Sequence, residues 1–154
     1  MNRLVFLLLF LPILALAQFS GRVVAVADGD TFTLLAENKE IRIRLHGIDC
    51  PERGQDFSQV AKTFLSDLVF GKTVSVKQTD TDRYGRVIGI VTVDGVNVNE
   101  ALLKEGLAWH YVYYDKNPEW AEMEAEAKRQ KKGLWSQPNP VAPWEFRRRR
   151  AVDN

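Results

Sequence analysis

Three short segments concentrate side chains able to do chemistry: Asp28-Gly29-Asp30-Thr31, Arg44-Leu45-His46-Gly47-Ile48-Asp49-Cys50-Pro51-Glu52 and Asp82-Arg83-Tyr84-Gly85-Arg86. Each alone has an ordinary explanation, because Asp-Gly-Asp makes a turn, Asp82 to Gly85 a hairpin connection, and Pro51 an irregular backbone. The combination asks for more. Asp30, Asp49 and Glu52 supply three carboxylates, and Arg44 and Arg86 two guanidinium groups. Two carboxylates and a backbone carbonyl make a hard-oxygen site suited to Ca²⁺ or Mg²⁺. Guanidiniums match phosphate oxygens with paired hydrogen bonds, and a further carboxylate can take a proton from water. Cation, paired arginines and a free carboxylate are the requirements of phosphodiester hydrolysis.

Other metal chemistries fit poorly. Asp28-Gly29-Asp30 begins like an EF-hand loop, but Phe32 stands where the third ligand belongs and no glutamate closes the loop. His46, Cys50 and His110 lack the spacing of a zinc site. His46 reads as a polar surface residue on its strand, and His110 as part of an aromatic turn.

The flanking patterns predict the elements that must position these groups. Phe19–Ala27, Thr31–Leu35 and Ile41–His46 read as strands, with a hairpin connection at Glu37-Asn38-Lys39. Ile41, Ile43 and Leu45 alternate with Arg42, Arg44 and His46, so one face is apolar and the other polar. Lys72–Thr79 and Arg86–Val93 are two further strands. A helix is predicted from Phe57 to Val69 with Asp56 as N-cap, a shorter one from Asn99 to Glu105, and a third from Pro118 to Lys132 capped by Asn117. The third has acids early and bases late, in agreement with the helix dipole. Five short strands escape open edges by closing on themselves, which predicts a mainly β fold: a five-stranded Greek-key barrel of the oligonucleotide/oligosaccharide-binding (OB) type with three helices.

Composition bounds the rest. The 154 residues, 45% hydrophobic with one cysteine, exclude a disulfide-stapled scaffold and a disordered chain. Met1 to Ala17 reads as a signal peptide, with Arg3, an apolar run and the small-x-small site Ala15-Leu16-Ala17. The expected organisation is a signal peptide at 1–17, a barrel domain at 18–136 and a Pro/Arg-rich, irregular extension at 137–154. Cleavage near Ala17/Gln18 would release a secreted or periplasmic protein with no stable membrane insertion. Loss of Arg3 takes the formal charge from +1 to zero. Without Arg147–Arg150 the body is slightly acidic, so binding of a polyanion must rest on local charge or on a cation.

Taken in order, these segments resemble the staphylococcal nuclease (thermonuclease) family. The likeness runs from about Gly21 to Trp135 and includes Val98-Asn99-Glu100-Ala101-Leu102 and Gly106-Leu107-Ala108. It implies Ca²⁺-dependent cleavage of DNA and RNA that leaves 3′-phosphates; a monomer is the default expectation for the chain. By the same resemblance Asp30 and Asp49 would be Ca²⁺ ligands, with the Cys50 backbone carbonyl a third. Asp28 would hold water around the ion from outside that set. Glu52 would deprotonate the attacking water, and Arg44 and Arg86 would hold the scissile phosphate. Arg83, Tyr84, Tyr111 and Tyr113 would seat the nucleotide. A barrel that bound nucleic acid without cutting it, the competing reading, would not need this full acid and arginine set.

The chain departs from the family in three places. Cys50 replaces a threonine, which spares a carbonyl ligand but adds a thiol able to pair between chains. The segment Arg53-Gly54-Gln55 after Glu52 is short. The tail lies beyond the matched region, where Trp144-Glu145-Phe146 offers apolar surface to the barrel and Arg147–Arg150 reads as a frayed basic end, with phosphate contact as the alternative.

Overall fold

The computed structural model describes residues 17–152; the predicted signal peptide, but for Ala17, lies outside them. The alternating segments form β1 (Gln18–Val26), β2 (Thr31–Ala36) and β3 (Lys39–Leu45), an antiparallel meander. Glu37 and Asn38 link β2 to β3 with φ of 48° and 61°, the left-handed pair whose twist suits a two-residue hairpin. After a short β4 (Ile48–Asp49), β5 (Thr73–Thr81) returns beside β1. β6 (Val87–Val93) then pairs antiparallel with β5 and parallel with β3, with Ile43 opposite Val87 and Leu45 opposite Gly89. That last pairing closes β1, β2, β3, β5 and β6 into the predicted barrel and leaves none of the five with a fully open edge.

Period-two alternation sends Phe32, Leu34, Ile43, Leu45, Val74, Val76 and Val91 inward, where all are buried. Each such side chain contributes roughly 1.5–3 kcal/mol relative to exposure. Helix α1 (Ser58–Val69) adds Ala61, Leu65 and Val69 to the same core, and α2 (Val98–Lys104), which follows the short β7 (Val96–Asn97), adds Val98, Leu102 and Leu103. β8 (Trp109–His110) pairs with β4 and leads to α3 (Pro118–Arg129). Asn117 caps α3 as predicted, accepting the Glu119 N–H at 2.9 Å. A 3₁₀ turn at Gly133–Ser136 follows, its Leu134 N–H donating to the Gly106 carbonyl at 2.9 Å. A Cβ on Gly133 would lie 2.3 Å from that carbonyl oxygen, so the two backbones meet only because both positions are glycine.

Two sequence-based expectations fail here. Asp56 does not cap α1. The cap position is Phe57, whose φ of 65° turns its ring against the core, and the Asp56 carboxylate instead accepts the Gln137 amide at 2.6 Å. The tail is not irregular either. Pro143–Val152 forms a fourth helix, α4, with proline at its first position. It is docked: Ala142 and Pro143 are buried, and the Trp144 ring stacks on Tyr111 (centroids 4.7 Å apart, planes at 12°) and meets Trp109 edge-on at 5.6 Å. Among the described residues no helix is long and apolar enough to cross a membrane.

Candidate active site

The barrel pairings decide which strand ends share one face. Thr31 lies opposite Arg44, and the Leu45 N–H donates to the Asp30 carbonyl at 2.9 Å, so Asp30 sits against β3. The parallel β3–β6 pairing brings Arg86, one residue before β6, alongside. β4 carries Asp49 at its end and is held by β8. The result is a cleft of about 1030 Å³ lined by Asp28, Asp30, Arg44, Asp49, Cys50, Glu52 and Arg86, among others.

Arg44 is the centre of the cluster. Its guanidinium forms an ion pair with Asp30 and a 2.8 Å bond to Asp49 Oδ1. Burial works against its charge, but Asp30 and Asp49 together outweigh that and hold it protonated well beyond the ordinary arginine range. Asp30 Oδ2 also accepts the Cys50 N–H at 2.8 Å, which fixes the chain at the third expected ligand. Asp49 is 1% exposed; burial pushes its carboxyl up, with Arg44 opposing. Asp28 is pushed up to about 6, first by burial and then by the negative charge of Asp30.

Arg86 is aimed by a residue that sequence reasoning left without a role. Asp82 accepts the Arg86 N–H at 3.0 Å and its Nε at 2.7 Å. Burial raises the Asp82 carboxyl, but these bonds and the Tyr84 N–H win and hold it below the usual range. The four-residue spacing from Asp82 to Arg86 across a Gly85 turn was the available signal. Arg83 and Tyr84 sit at the rim, with Arg83 Nη2 donating to the Tyr84 hydroxyl at 2.7 Å.

The tyrosines divide. Tyr111 lines the cleft, half-buried under Trp144; Tyr113 does not line it and is 78% exposed, while Tyr114 does. Val112, Tyr113 and Tyr114 all lie exposed on the turn after β8, and of the expected pair Tyr111 is the one that lines the cleft. Asp115 pins that turn, accepting from His110 Nε2 at 2.9 Å and His46 Nε2 at 3.2 Å. His46 is thus a partly buried anchor rather than a surface residue. The Cys50 thiol is buried, donates to the Gly29 carbonyl at 3.3 Å and is pushed far up by burial, so it is not presented for pairing between chains.

Arg147 also enters the cleft, where a frayed end was expected. Its Nη2 lies 2.9 Å from Asp49 Oδ2 and its Nη1 2.5 Å from Glu52 Oε1. Only the Trp144-Glu145-Phe146 segment beside it hinted at docking. Glu52 is further held by Gln55, whose Oε1 accepts the Glu52 N–H at 2.8 Å.

The donor set fits a hard divalent ion in its chemistry, since carboxylates and a backbone carbonyl offer oxygen ligands only. Among the described residues no three His, Cys, Asp or Glu side chains converge to hold an ion alone. Two carboxylates and a carbonyl would leave the remaining positions to water and substrate oxygens.

Comparison with known proteins agrees with this architecture. Residues 42–137 match the family described as "Staphylococcal nuclease homologue". An Escherichia coli protein named "Uncharacterized endonuclease" is 42% identical over 154 residues, covering 97% of this chain and 100% of its own. A Shigella flexneri "Micrococcal nuclease" is 42% identical over 151 residues, covering 91% and 87%. A Haemophilus influenzae "Uncharacterized endonuclease" is 39% identical over 133 residues, covering 86% and 75%. With a closed barrel, a cleft of acids and arginines at its strand ends and these relatives, the chain belongs to the staphylococcal nuclease homologue family.

Proposed function

We propose that this chain is an exported, monomeric, Ca²⁺-dependent nuclease that hydrolyses phosphodiester bonds of DNA and RNA and leaves 3′-phosphates. The observation that carries the reading is the convergence of Asp30, Asp49 and Glu52 with Arg44 and Arg86 in one cleft. Asp30, Asp49 and the Cys50 carbonyl are the groups that would hold Ca²⁺, which when bound supplies positive charge to phosphate oxygens. Arg44 and Arg86 stabilise charge gathering on the phosphoryl oxygens, their forks fixed beforehand by Asp30, Asp49 and Asp82. Glu52 takes the proton of the attacking water. One P–O bond forms to that water and the bond to O5′ breaks, which leaves a 3′-phosphate and a 5′-hydroxyl. Arg83, Tyr84 and Tyr111 border the nucleotide.

The test is incubation of the mature protein, starting at Gln18, with single-stranded DNA, duplex DNA and RNA, each with Ca²⁺, Mg²⁺ or a chelator. Cleavage with Ca²⁺, none with chelator, and 3′-phosphate ends are expected. Nucleic acid bound but uncut under every condition would convert the protein to a binding barrel. N-terminal sequencing of the exported protein checks the Ala17/Gln18 junction.

A pH dependence follows from Asp28. Its folded carboxyl keeps a proton up to about 6, above the value near 4 of the unfolded chain. The ion-free fold therefore gains stability from this group as pH falls from 7 towards 4. Ca²⁺ favours the ionised carboxyl, so its affinity falls as pH drops through 6, by at most about tenfold per pH unit for one proton. Titration calorimetry at pH 5, 6 and 7.5 checks this, and Asp28→Asn should flatten the slope.

A further inference from the structure

Arg147 holds the carboxylates that the reading above gives to the ion and to the water. Its two terminal nitrogens span Asp49 and Glu52, and Nη1 reaches Asp49 Oδ1 as well at 3.3 Å. With Arg44 on Oδ1, both oxygens of Asp49 face guanidinium groups. An isolated pair whose arginine is 43% exposed would contribute little. This one is preorganised. Trp144, one turn earlier on α4, is stacked on Tyr111, and Gln55 grips both ends of the arrangement, accepting the Glu52 N–H and donating to the Val141 carbonyl at 2.9 Å. The arginine is thus delivered to the acids by a docked helix, and a cation approaching Asp49 must displace it.

We propose that Arg147 is a tethered cation that sets the ion affinity of the site and couples ion binding to substrate binding. This inference rests on the Ca²⁺ reading above. When the ion takes Asp49, the guanidinium loses that partner, keeps only Glu52, and remains beside the ion as a repelling positive charge. A phosphate entering the cleft gives it a new partner, in the bidentate geometry that arginine favours. Ion and substrate therefore bind more tightly together than either does alone, by a reciprocal factor.

Calorimetry of Ca²⁺ binding tests this, without and with a mononucleotide carrying 3′- and 5′-phosphates, which offers the charge but no internucleotide bond to cut. In the wild type the nucleotide should tighten Ca²⁺ binding about tenfold or more. Arg147→Gln should bind Ca²⁺ alone about tenfold more tightly than wild type, and the nucleotide should then add less. Trp144→Ala keeps the arginine but undocks α4, and should shift Ca²⁺ affinity in the same direction. Equal Ca²⁺ affinity and equal coupling in wild type and Arg147→Gln would overturn the inference while leaving the Ca²⁺ reading intact. Absence of Ca²⁺ binding in the wild type and both variants would overturn the Ca²⁺ reading and the inference with it.

Discussion

Glu52→Gln should lower turnover by about 10³-fold while Ca²⁺ and nucleotide still bind. The substitution keeps the shape of the side chain and removes the one property that the proposed chemistry needs, a basic oxygen facing water. General-base assistance accounts for roughly 10²–10⁴ in rate, and 10³ corresponds to about 4 kcal/mol at the transition state. Glu52 is suited to the role by position. It is partly exposed, so water reaches it, and its backbone is fixed by Gln55. The amide can still accept from Arg147, which keeps the loop in place. Measuring kcat beside Ca²⁺ affinity separates the possibilities: loss of the ion would make Glu52 a ligand, and near-normal kcat would remove it from the mechanism.

Arg44→Lys should be nearly as damaging, with kcat reduced by about 10²–10³, the cost typical of losing one preorganised charge donor. Arg44 bridges Asp30 and Asp49 with separate nitrogens, and its side chain is only 15% exposed. An ammonium is a point charge on a flexible stem and cannot hold two carboxylates and meet a phosphate with a fixed fork. Arg44→Met should also unfold more easily, by about 3–5 kcal/mol at neutral pH, because Asp30 is left buried without a cation and Asp49 keeps only Arg147. The pH dependence of that loss is fixed in sign. Carboxyls without a cation have folded values raised above the unfolded ones, so the penalty is full above the folded value and shrinks as pH falls through it. Urea melts of wild type and Arg44→Met at pH 7.5 and pH 5 should converge at the lower pH. A constant gap would mean that the arginine acts through packing alone.

Much of this was open to inspection in the chain itself, where the governing forces are local. The alternation of Ile41, Ile43 and Leu45 with polar residues is a property of neighbouring positions, and so is the Asn117-Pro118 start of α3. Both are found as predicted. The Asp28-Gly29-Asp30 turn and the Asp82–Arg86 connection are equally local. Where local preference competed with packing, packing won: Asp56 is a good capping residue, yet the burial of Phe57 took the cap position from it.

The amino-acid order alone determined the five barrel strands, the first three helices and the barrel class, because periodicity and side-chain chemistry act over a few residues. Only the tertiary structure decided that Tyr114 rather than Tyr113 borders the cleft, that Asp115 ties His46 to His110, and that the last helix turns inward. Arg147 meets Glu52 and Asp49 across 95 and 98 positions of chain. No short-range pattern encodes such a contact. It exists because the β4–β8 pairing fixes the wall of Trp109 and Tyr111 on which Trp144 rests, and the direction of a side chain one turn further along that docked helix follows from that wall.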